Sequence, residues 1–140
     1  MKVKIPEPVD DLEFYRLSIE NKTFTKSELE KLVKNIESDL DKIYETELKT
    51  GKISFLNYQI LFMTNNKEEL GYMLDGGMFL SVKAGRECAL PEFQCRYKNS
   101  FKKVLADPKS ISQPLNIYLS ITGARDTITT EVEAKDPKEN

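Results

Sequence analysis

From Thr25 to Gly51 an apolar residue recurs every three or four positions: Leu29, Leu32, Val33, Ile36, Leu40, Ile43, Tyr44 and Leu48. That period predicts one amphipathic helix of about six turns. A helix with a single apolar stripe must be laid against another apolar layer, so this segment constrains the whole fold. Its start is marked twice. Thr25-Lys-Ser-Glu28 is a capping box, in which the Thr25 hydroxyl and the Glu28 carboxylate satisfy backbone donors that the first turn leaves orphaned. Phe24 before the cap and Leu29 at the fourth helical position have the spacing of a hydrophobic staple. Gly51 is suited to end the run. The opposite face carries Glu30, Lys31, Lys34, Glu37, Asp41 and Lys42, a solvated pattern.

The covering layer is expected from strands. Tyr15, Leu17 and Ile19 alternate with polar residues within Leu12 to Glu20. Pro6 and Pro8 restrict the first ten residues to an edge strand or an extended arm. Lys52 to Thr64 reads as a strand with a change of phase between Phe55 and Leu56. Asn65-Asn66 and Asp75-Gly76-Gly77 suit turns, which makes Leu70 to Leu74 and Met78 to Val82 the further strands of a three-stranded meander. A short helix over 67–74 is the rival reading. Pro91 suits the first turn of a second helix, with Phe93, Tyr97, Phe101, Val104 and Leu105 on one face and Asp107-Pro108 as its stop. Leu115 to Ile121 and Ile128 to Val132 alternate strictly and read as a closing hairpin.

The expected fold class is therefore α+β, a mostly antiparallel sheet with two amphipathic helices packed on one face, in the order β-α-β-β-β-α-β-β. Residues 1–133 form one domain in this reading, and 134–140 have nothing to bury and are expected to be disordered. From the first helix onward this order resembles that of several small folds, among them the type III secretion chaperones, acidic homodimers of similar length. The resemblance is one of topology; no motif accompanies it, and the final helix of those chaperones has no counterpart here.

Among 140 residues there is no histidine, which removes the commonest general base, metal ligand and activator of a nucleophile. Cys88 and Cys95 are too far apart for a CxxC motif and lack the further ligands a zinc site needs. Cys88 is expected to be the more exposed of the two. The acidic pairs Asp10-Asp11 and Glu68-Glu69 consist of adjacent residues, which point apart, and the glycines form no phosphate-binding motif. The expectation is a protein that is not an enzyme and carries no cofactor or metal. With no apolar h-region at the start and no run of about 20 apolar residues, it is expected in the cytoplasm, away from membranes.

The suggestive cluster lies in residues 83–109, where seven basic side chains against three acidic ones leave a charge of +4 in a chain of net charge −2. Arg86, Arg96, Lys98, Lys102 and Lys103 beside Tyr97 form the candidate binding ridge, with Lys83 and Lys109 at its ends. The first reading is a cytosolic protein–protein interaction module, an adaptor, chaperone, inhibitor or immunity-type factor, acting as a homodimer. A binder or sponge of a small anionic or phosphorylated ligand is the alternative, and single-stranded nucleic-acid binding a weaker one, given the acidic net charge.

Overall fold

The structure is a computed structural model that describes residues 2–7, 12–50, 53–80, 83–125 and 128–133, with side chains for 12–50, 53–80 and 89–124. Its elements are β1 (Lys2–Glu7), β2 (Leu12–Lys22), α1 (Lys26–Ile43), β3 (Ile53–Thr64), β4 (Leu74–Phe79), α2 (Lys83–Ala106), β5 (Leu115–Arg125) and β6 (Ile128–Glu133). The expected α+β class is borne out: a four-stranded antiparallel sheet in the order β2-β5-β3-β4 carries two helices. The expected 134–140 tail lies outside the described residues, as does Gly51.

The capping box at α1 forms as the sequence requires. The Glu28 N–H donates to Thr25 Oγ1 at 3.1 Å, and the Thr25 N–H donates to Glu28 Oε1 at 3.0 Å. Phe24 and Leu29 are both buried, as a staple demands. Thr25→Ala removes the acceptor for one orphan donor and is expected to cost about 1 kcal/mol, read as a lower urea midpoint at unchanged slope. Beyond Ile43 the helix widens into a π turn, Tyr44–Leu48, in which the Lys49 N–H donates to the Tyr44 carbonyl. The cause is legible in the spacing. Ile36, Leu40, Tyr44 and Leu48 recur by fours, each step overshoots a 3.6-residue turn, and the wider turn absorbs the overshoot so that all four stay buried.

One face of the sheet receives Leu56, Tyr58, Ile60 and Phe62 from β3 and Leu115, Ile117, Leu119 and Ile121 from β5. These pack with Leu29, Val33, Ile36 and Leu40 of α1 and with Phe93, Tyr97, Phe101 and Val104 of α2 in a single core. Rings interleave across the α2–β3 contact, Tyr58 with Phe93 at 4.6 Å and Phe62 with Phe101 at 6.0 Å between centroids.

Four segments differ from the reading of the sequence. Leu70 to Leu74 is neither a full strand nor a helix: a stub of pairing (Met63 with Glu69, and the Leu70 N–H to the Phe62 carbonyl at 2.8 Å) ends at Gly71, whose φ of +71° turns the chain toward α2. Asp75-Gly76-Gly77 is then strand rather than turn, because the Phe55 ring fills the space beside Gly77, 2.7 Å from where a Cβ would stand. The meander has two strands and the element order becomes β-β-α-β-β-α-β-β.

The second helix begins at Lys83, leaving Pro91 in its interior, where the ring removes one backbone donor. Leu90, Phe93 and Tyr97, buried on one side of that proline, hold the helix through it. The closing hairpin also gives way to another pairing. β5 lies in the middle of the sheet between β2 and β3, and β6 pairs with β1 instead of folding back on β5. Glu7 faces Ile128 and Leu12 faces Gly123, so the same number of residues separates the two ladders along both segments.

Candidate functional site

Most of the basic cluster is tied down within the fold. Tyr97 is in the core, with no exposed surface, so it is not a ridge aromatic. Its hydroxyl donates to Asp41 Oδ1, which also accepts from Gln94 Nε2 at 3.2 Å. Lys98 Nζ reaches Asp41 Oδ2 at 2.8 Å and Glu37 Oε1 at 3.3 Å. These contacts form a polar clasp between α1 and α2 at the rim of the core. Arg96 pairs with Glu92 at 2.9 Å and Lys109 with Glu68 at 3.2 Å, while Lys103 lies 4.6 Å from the Tyr72 ring centre. Lys102 is exposed with no ion-pair partner among the described residues. The side chains of Lys83, Arg86 and Cys88 lie outside the described residues, and Cys95 is an exposed free thiol.

The clasp has a pH signature. Burial alone would push the Asp41 carboxyl up, but hydrogen bonds from Lys98, Tyr97 and Gln94 together with the Lys98 charge outweigh it and hold the group below its ordinary range. The hydrogen bond to Asp41, then the charges of Asp41 and Glu37, raise Lys98; burial, then the Asp41 contact, raises Tyr97. Burial, reinforced by Asp39, likewise pushes Tyr15 up to about 12. A depressed acid stabilises the fold above its unfolded pKa and loses that contribution as pH falls through the folded value; raised groups stabilise below their unfolded pKa and lose it as pH rises. Stability is therefore expected to be flat from about pH 5 to 9 and to fall above about pH 10, where the unfolded chain releases tyrosine and lysine protons that the native state retains. Urea titrations at pH 7 to 11 check this, and Tyr97→Phe is expected to show a shallower alkaline decline than the native sequence.

A different surface stands out at the edge of the sheet. β4 pairs with β3 on one side and with no strand on the other among the described residues. The Leu80 N–H donates to the Ser54 carbonyl at 2.7 Å, and Phe79 faces Phe55 in the register. Backbone groups alternate in direction along an antiparallel strand, so Leu74, Gly76 and Met78 turn theirs toward β3 and Asp75, Gly77 and Phe79 turn theirs outward. Phe79 is 76% exposed, its ring 5.0 Å from that of Phe55, and Met73 at the other end of the strand is 47% exposed.

Natural sheets protect edges with charge, proline or bulges. The opposite edge, β2, does so: it has register shifts at Glu13/Tyr15 and Ile19/Lys22 and exposes Glu13, Arg16, Glu20 and Lys22. In β4, Leu-Asp-Gly-Gly-Met-Phe, Asp75 is the only charge and nothing interrupts the ladder. Beside it a cleft of about 200 Å³ opens between β4 and α2, lined by Gly77, Met78, Ala89, Phe93 and the Arg96–Glu92 pair.

No protein-family model matches the chain, and comparison with curated proteins and with solved structures returns no match.

The β4 edge was hidden from sequence reasoning because Asp75-Gly76-Gly77 has the composition of a turn. One signal was present: Phe79 and Leu80 are adjacent, so in an extended chain they must point to opposite faces, and only one can enter the core. Leu80 is that residue. Among the described residues no helix is long and apolar enough to cross a membrane.

Proposed function

We propose that this is a non-enzymatic protein–protein interaction module, of the adaptor, chaperone, inhibitor or immunity type, that binds through the exposed edge of β4. The observation that carries the reading is an edge strand with no neighbour on its outer side among the described residues, ending in a phenylalanine that is 76% exposed. Outward N–H and C=O groups at Asp75, Gly77 and Phe79 offer main-chain pairing to an extended segment, and the cleft toward α2 takes side chains from one face of such a strand. The lack of histidine supports a binding role over a catalytic one. The anionic-ligand reading draws less support, since Arg96, Lys98 and Lys109 are already paired with carboxylates.

Affinity capture from the cytosol of the source cell, with the native sequence and Phe79→Lys side by side, tests the reading. An edge lysine opposes strand addition, and Phe79 is exposed enough for the fold to tolerate it. A bound protein is expected to be retained by the native sequence and lost with Phe79→Lys, while charge reversal at Lys102, which lies outside the cleft, leaves it in place. Equal recovery on both removes β4 from the binding surface, and substrate turnover by the pure protein overturns the non-enzymatic assignment.

A further inference from the structure

We infer that the occupant of the β4 edge is a second copy of this chain, paired antiparallel across a two-fold axis at Gly77 so that two four-stranded sheets become one of eight strands. The inference rests on the reading of β4 as the binding edge and adds the identity of the partner.

Parity requires the two-fold axis to fall on a residue rather than between two, and Gly77 is a position that satisfies it. In a continuous sheet, directly opposed residues share a face, and the pairs that exchange hydrogen bonds must both turn their backbone groups outward. Asp75, Gly77 and Phe79 are the outward residues, and with the axis at Gly77 this residue opposes the partner's Gly77 and Asp75 opposes the partner's Phe79, each pair meeting both conditions. An isologous contact demands this self-complementarity.

Side chains fit the same arrangement. Asp75, the one charge on the strand, meets an aromatic ring rather than another carboxylate, so the like-charge penalty that usually keeps edges apart is missing. Met78 opposes the partner's Gly76 on the helix-bearing face, beside the cleft that Met78, Ala89 and Phe93 line, and the absence of a side chain at Gly76 leaves room for it. On the other face, Phe79 lands diagonally next to the partner's Gly77, over which that copy's Phe55 ring already lies. The two exposed phenylalanines are thereby covered. Asp75 to Phe79 of each copy form a short seam, so the dimer is expected to be a weak and concentration-dependent one.

Sedimentation velocity and native mass spectrometry across about 10 to 500 µM read the association, with amide hydrogen exchange at both ends of the range. The native sequence is expected to shift from one copy to two, with exchange at the outward amides of Asp75, Gly77 and Phe79 slowing as concentration rises. Phe79→Lys and Asp75→Pro are each expected to weaken the dimer at least about tenfold; Asp75→Pro deletes an outward N–H that β3 does not use, so the fold keeps its ladder. A chain that stays monomeric throughout, or a dimer unmoved by both substitutions, overturns the inference. A monomer still leaves β4 as a site for another protein's strand, a reading that fails separately if Phe79→Lys retains everything the native sequence captures.

Discussion

Tyr97→Ala is expected to destabilise the protein by about 3–5 kcal/mol, enough to leave many domains of this size largely unfolded at 37 °C. The side chain is entirely buried, its ring 5.3 Å from that of Phe93 and 5.8 Å from that of Phe101, and its truncation leaves a cavity in the middle of the α2 contact. It also removes one of the donors to Asp41, a carboxylate at the rim of the core. Tyr97→Phe separates the two contributions. It keeps the ring and deletes the hydroxyl, and with Lys98 and Gln94 still on Asp41 the cost is expected to be about 1 kcal/mol. Urea unfolding of both variants provides the measurement. A loss below about 1 kcal/mol for Tyr97→Ala contradicts the packing described here and restores the exposed basic ridge that the sequence suggested.

The second large effect is expected at Gly71. Its φ of +71° strains any L side chain, and a Cβ there lies 2.7 Å from the Ser100 carbonyl oxygen and 3.0 Å from Val104 Cγ2. Both belong to the packed side of α2, so relief requires the 65–73 loop to lift away from the helix. That movement pulls on the Ser100 Oγ to Tyr72 carbonyl bond at 3.0 Å and on the Tyr72 hydroxyl to Arg96 carbonyl bond at 2.8 Å. Backbone strain and overpacking each contribute about 1–3 kcal/mol, so Gly71→Ala is expected to cost about 3 kcal/mol and to lower Tm by about 10 °C. Gly76→Ala is the control. No positive φ applies there, and the nearest atom to an added Cβ is Tyr58 Oη at 3.4 Å, so thermal unfolding is expected to move by less than about 1 kcal/mol equivalent. Equal shifts in the two variants contradict the close approach of the loop to α2.

These two sites show where reading the chain succeeds and where it stops. The start of α1 is legible because every group that fixes it lies within six residues, from Phe24 to Leu29. The glycines at 71, 76 and 77 look alike in sequence, yet one turns the chain and two lie within a strand. What separates them is the helix backbone pressed against Gly71 and the Phe55 ring filling the space beside Gly77. Pro91 likewise reads as a helix start on local grounds, and the packing of Leu90, Phe93 and Tyr97 overrides it.

By itself the sequence determined the α+β class, the capped first helix and its apolar stripe, and the strands β2, β3 and β5, because periodicity and capping act over a few residues. It also determined the removal of histidine chemistry, which composition alone decides. Only the tertiary structure decided which charges are free. The carboxylates that bind Lys98 lie 57 and 61 residues away on α1, a separation that no local charge count spans. It decided, too, that β5 runs through the middle of the sheet and that β4 is its edge among the described residues with Phe79 exposed, since strand order follows from the burial of two helices against one face and not from the alternation of any single strand.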